Sequence, residues 1–76
     1  MELVVNGERR QVADGMTVSQ LLELLQVAPE RVVVEVNLTI LKRAEQTSVV
    51  LQGGDRVEIV RFVGGGAITE SRNNTE

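Results

Sequence analysis

One stretch of the chain, Met16-Thr17-Val18-Ser19-Gln20-Leu21-Leu22-Glu23-Leu24-Leu25, constrains the fold more than any other, because helical signals coincide only there. Thr17 is placed as an N-cap and Gln20 follows three residues later, the spacing of a capping box. Met16 before the cap and Leu21 after it occupy hydrophobic-staple positions. Val18, Leu21, Leu22 and Leu25 fall at i, i+3, i+4 and i+7, so they form one apolar face. Pro29 ends the helical region, since it restricts Ala28 and supplies no amide donor. A lone amphipathic helix has to bury its stripe, and a sheet is the natural cover.

The rest of the chain reads as strands and turns. Residues 2–5 form a strand, and Asn6-Gly7 is a type I′ hairpin signal, because that turn needs positive φ at both positions. We read Asn6-Gly7 as purely structural. Residues 8–12 are the returning strand, and Asp14-Gly15 is a second turn. Residues 32–36 are a β-branched run broken only by Glu35, expected as a well-buried strand. Asn37 begins a turn, 38–41 is a short further strand, 42–48 is polar and irregular, and 49–51 is a brief strand or extended segment. Gln52-Gly53-Gly54-Asp55 is a turn, and residues 56–63 are the last strand. The expected class is α+β: a mixed sheet covered by one main helix. The helical crossover allows the last strand to lie parallel beside the first, which is a β-grasp arrangement.

Composition removes whole classes of function. The chain has 76 residues, enough for one small domain. It has no cysteine and no histidine, so disulfides, thiol nucleophiles, imidazole bases and the usual zinc ligands are absent. The net charge of -3 argues against nucleic acid as partner. Arg9-Arg10 and Lys42-Arg43 read as solvated surface. The first residues lack the basic start and apolar run of a signal peptide, and no segment approaches the ~20 apolar residues of a membrane span. A cytoplasmic location is expected.

The last strand has two phases. Val57 and Ile59 share one face; Glu58, Val60 and Phe62 share the other. With the first face on the core, Val60 and Phe62 lie near the surface. Phe62 is the only aromatic residue, readable as a lid on the core edge or as an anchor in a partner's pocket. Val63 and then Gly64-Gly65-Gly66 follow. The glycines carry no side-chain chemistry, but a backbone without Cβ threads where others clash. From Phe62 to Gly66 an extended arm reaches about 13 Å, enough to enter a cleft while the domain docks outside.

Several stretches resemble the ThiS family of sulfur carriers in thiamin (thiazole) biosynthesis. They are Val5-Asn6-Gly7-Glu8, Asp14-Gly15-Met16-Thr17-Val18 leading into Leu21-Leu22, Val34-Glu35-Val36-Asn37, and Gly54-Asp55-Arg56-Val57-Glu58-Ile59-Val60-Arg61-Phe62-Val63-Gly64-Gly65-Gly66. The last is the most specific, and together they span residues 1–66. The resemblance implies a ubiquitin-like β-grasp domain over 1–66. It implies that the chain is no enzyme but a protein substrate. Gly66 would be the modified residue, at the end of the C-terminal arm Gly64, Gly65 and Gly66; beside that arm, the end of the last strand supplies Val60, Phe62 and Val63 as the expected partner-binding positions. A ThiF-like activating enzyme, using ATP and magnesium, would adenylate the Gly66 carboxylate. A sulfur-donor protein would convert it to a thiocarboxylate, and a ThiG-like thiazole synthase would accept the sulfur. The chain itself would bind no cofactor or metal and would be a monomer alone, with Val60 and Phe62 able to support weak self-association.

Two features depart from the family pattern. Leu38 follows Asn37 where the family usually has glycine, and a leucine tolerates positive φ poorly, so a wider or shifted turn is expected. Residues 67–76 continue past the glycines as a polar segment expected to be disordered. While it is attached, Gly66 has no free carboxylate. Removal by a protease is the first reading. An origin in expression or a frameshifted gene end, and loss of the carrier role, are the others. The competing functions are a MoaD-like carrier for molybdopterin and a non-catalytic β-grasp interaction module.

Overall fold

Strand β1 (Glu2–Val5) and strand β2 (Glu8–Gln11) form an antiparallel hairpin, with Val5 opposite Glu8. The two residues between them take positive φ, 49° at Asn6 and 82° at Gly7, as the Asn-Gly pair requires. These coordinates are a computed structural model, which describes residues 1–61. Helix α1 (Val18–Leu24) follows, then strands β3 (Val32–Val36), β4 (Thr39–Leu41) and β5 (Arg56–Arg61), with short 3₁₀ turns at Pro29–Arg31 and Arg43–Glu45. The sheet order is β2-β1-β5-β3-β4. Among the described residues only the β1–β5 pairing is parallel. This is the expected β-grasp, with the last strand at the centre of the sheet.

The helix starts as its sequence dictates. The Gln20 amide donates to Thr17 Oγ1 at 3.2 Å, and the Thr17 amide donates to Gln20 Oε1 at 2.8 Å. The first helical amides, which have no partner inside a helix, are met from elsewhere. Val18 N–H donates to the Val49 carbonyl (3.1 Å) and Ser19 N–H to the Gln46 carbonyl (2.9 Å). Of the two readings for 49–51, brief strand or extended segment, the second holds, and the segment serves mainly as a partner for the helix. It contributes a single bridge, Thr17 with Val50, rather than a strand.

The helix ends earlier than Pro29. Leu25 is the C-cap, and Gln26 takes φ of 59°. Val27 N–H donates to the Leu22 carbonyl and Gln26 N–H to the Glu23 carbonyl, the two bonds of a Schellman motif. Glycine is the usual residue at that left-handed position. Gln26 is exposed, so its side chain supports little there, and Gln26→Gly should raise stability by about 0.5–1 kcal/mol. A urea-unfolding midpoint that moved down instead would contradict the strain assigned to this residue.

The β3–β4 turn also differs from expectation. Val36 pairs with Thr39, so the connection is only Asn37-Leu38, with φ of 51° and 72°. The turn is not widened; Leu38 accepts the left-handed conformation. Its side chain is 88% exposed, so no packing contact opposes that backbone.

One face of the sheet meets the helix. Leu3, Val34 and Val57 from the strands and Val18, Leu21 and Leu22 from the helix are fully buried. Leu51, from the loop over the helix start, completes the core. Leu25 and Met16 pack against it as partly buried neighbours. The strand over 32–36 alternates, with Val32 and Val34 buried and Val33 and Glu35 only partly so. It is thus covered on one face, not two. Residues 62–76, including the expected disordered extension over 67–76, lie outside the described residues.

Candidate functional site

Strand β5 leads directly to the glycine motif, so its surroundings define the site. Gly54 turns the chain with φ of 90°. Asp55 then accepts from the Gln52 amide through Oδ2 (2.8 Å) and from Asn37 Nδ2 through Oδ1 (3.0 Å). The Arg56 amide donates to Asn37 Oδ1 at 3.0 Å. The Gly-Asp-Arg part of the motif is thus a fixed starting block for the strand.

Along one edge β5 pairs with β3 from Val57, opposite Val36, to Arg61, opposite Val32. Along the other it pairs with β1 only at Arg56 and Val57. There β1 turns away into the hairpin. The next backbone groups of β5 are taken by a side chain: Ile59 N–H donates to Asn6 Oδ1 (2.7 Å), and Asn6 Nδ2 donates to the Ile59 carbonyl (3.3 Å). Asn6 is therefore more than a turn former. Sequence reasoning missed this because the bond joins residues 53 apart, and no local pattern encodes it.

The two phases of β5 separate as expected. Val57 is fully buried and Ile59 is packed against the core, whereas Val60 is 52% exposed on the helix-free face. There Val60 stands opposite Val33, and Glu58 opposite Glu35 in the neighbouring pair. Ile40, opposite Glu35 on β4 and 62% exposed, extends the surface. Apolar groups thus flank two carboxylates of like charge, and neither carboxylate is in an ion pair among the described residues. Phe62, Val63, Gly64, Gly65 and Gly66 lie outside the described residues.

Among the described residues no group of three or more His, Cys, Asp or Glu side chains could hold a metal ion. No described helix is long and apolar enough to cross a membrane.

Comparison with known proteins agrees with this geometry. The ThiS family model matches residues 3–66. A thiazole synthase of Paramagnetospirillum magneticum is 45% identical over 67 residues, covering 88% of this chain and 21% of that protein. A thiazole synthase of Magnetococcus marinus is 42% identical over 66 residues, covering 87% of this chain and 20% of that protein. The chain thus spans about a fifth of the length of these two relatives. The crystal structure of the thiamine biosynthesis protein ThiS from Geobacter metallireducens superposes with a TM-score of 0.76 at 40% identity, over 87% of this chain and 100% of that one. With the ubiquitin-like β-grasp and the sequence match in agreement, this chain belongs to the ThiS family.

Proposed function

We propose that this chain is a sulfur carrier for thiamin thiazole synthesis, acting as a protein substrate and not as an enzyme. The observation that carries the reading is that the family match runs to Gly66, the last residue of the glycine arm. A carboxylate is a poor electrophile. A Gly66 carboxylate oxygen attacks the α-phosphorus of ATP and releases pyrophosphate. A hydrosulfide equivalent from a sulfur-donor protein then attacks the acyl carbon. The C–O bond to the phosphate breaks, and AMP leaves with that oxygen. The product is a thiocarboxylate, whose sulfur passes to thiazole synthase.

None of these steps needs a base or metal from the carrier. ATP and magnesium belong to a ThiF-like activating enzyme. The carrier contributes a surface to dock and an arm to insert: Val60, Phe62 and Val63 for the first, Gly64, Gly65 and Gly66 for the second. A ThiG-like thiazole synthase as acceptor is supported by the two thiazole synthases that carry a segment like this chain. A carrier joined to its acceptor raises their effective concentration. The use of ATP fits a cytoplasmic location.

In the sequence, residues 67–76 follow Gly66, so the scheme includes a protease that exposes the Gly66 carboxylate. ATP–pyrophosphate exchange with a ThiF-like enzyme tests the whole reading. A chain ending at Gly66 should support exchange, and the chain ending at Glu76 should not. No exchange with the shorter chain, under conditions that activate an established carrier, would end the proposal.

A further inference from the structure

We propose that Asn6 is a positioning residue for the glycine arm: its side chain holds β5 at Ile59, toward the arm, and so sets where Gly66 is presented. The inference rests on the carrier reading above, and it concerns a residue that the glycine motif does not contain.

A central strand is normally held on both edges by neighbouring backbones. Strand β5 loses its β1 neighbour after Val57. The amide of Asn6 still reaches the Val57 carbonyl at 2.8 Å, but the hairpin then turns the chain away. Without a substitute, the Ile59 amide and carbonyl on that edge would face no protein partner. The Asn6 carboxamide supplies both an acceptor and a donor, as a strand's peptide group would. It thereby extends the two-sided pairing of β5 by one step toward the arm. Ile59 is three residues before Phe62 and five before Gly64 in the sequence, so the clamp acts on β5 close to where the arm begins.

The residue type fits two demands at once. Position 6 takes φ of 49°, which asparagine tolerates better than most residues. Its carboxamide is also short enough to reach back across the turn. Glycine meets the first demand and not the second, which makes Asn6→Gly a clean variant: the turn is kept and the clamp is lost. Asn37 provides a matched control. It too has positive φ, 51°, and its Oδ1 too accepts from a β5 amide, that of Arg56 at the far end of the strand. Asn37→Gly removes a comparable bond to the same strand, but away from the arm.

The first readout is amide hydrogen exchange on the full chain. In Asn6→Gly the Ile59 amide should exchange at least tenfold faster, beyond any change at the core amide of Val34. The second readout is adenylation kinetics with chains ending at Gly66. Such a chain keeps every core residue found among the described ones, and the Geobacter structure aligns in full to a comparable length. Asn6→Gly should lower kcat about tenfold with KM little changed, because docking is intact and fewer bound complexes align the carboxylate. Asn37→Gly should leave both constants as in the parent.

Equal losses in the two variants would reduce Asn6 to a stabilising contact and overturn the proposal. So would an unchanged kcat in Asn6→Gly. If the parent chain ending at Gly66 is itself not adenylated, the carrier reading fails and the positioning role falls with it. That result differs from an active parent with an unaffected variant, which removes the positioning role alone.

Discussion

Leu22→Ala should lower the unfolding free energy by about 2–5 kcal/mol, the usual cost of truncating a buried leucine. Leu22 is fully buried in the helix–sheet core. Its carbonyl also accepts the Val27 amide that closes the helix, so collapse around a cavity would disturb the cap as well. A domain of this size has a total stability of about 4–11 kcal/mol. One truncation therefore removes much of it and should move the urea midpoint far down. Leu24, two residues on, is 54% exposed, and Leu24→Ala should stay within about 0.5 kcal/mol. Equal losses at the two sites would mean that the helix packs on a different face.

The contrast between these leucines is legible in the sequence. The i, i+3, i+4, i+7 stripe omits Leu24, and the capping box sets the phase of the stripe. Local signals of this kind survive folding because both partners lie within one turn of chain. The helix end was not legible. A left-handed cap is normally announced by glycine, and here Gln26 fills it, so Pro29 drew the boundary too late. Leu38 shows the reverse failure: its poor fit to positive φ suggested a wider turn. The pairing of Val36 with Thr39 outweighs that local cost, because a wider turn would disturb the β3–β4 register.

The site divides along the same line. The alternation Val57–Glu58–Ile59–Val60 correctly sent Val60 to the helix-free face, since strand periodicity needs only one known core residue. The roles of Asn6 and Asn37 depend on which strands become neighbours. Parallel pairing of β1 with β5 brings Asn6 to Ile59 across most of the domain's length in sequence, and a single-sequence pattern has no term for that. The glycine arm is the opposite case, because under the proposed carrier function its meaning lies in chemistry done by a partner.

On the proposed carrier function, Val60→Lys should weaken docking to a ThiF-like activating enzyme by about tenfold or more, read as a rise in KM for a chain ending at Gly66. Val60 is 52% exposed and lies opposite Val33, on the face of β5 that no helix covers. A lysine removes the apolar contact but does little harm to the fold. It projects on the same face as Glu58 two residues before it, where Glu58 already opposes Glu35, and a cation there offsets like-charge repulsion. The unfolding midpoint should therefore hold or rise while KM rises. The kcat should be nearly unchanged, since the Gly66 carboxylate and its approach are untouched. This is the converse of the Asn6→Gly signature, in which kcat falls at constant KM. If Val60→Lys left KM at the parental value, Val60 would lie outside the docking surface. If it lowered kcat alone, that face would act on the arm's alignment and not on docking.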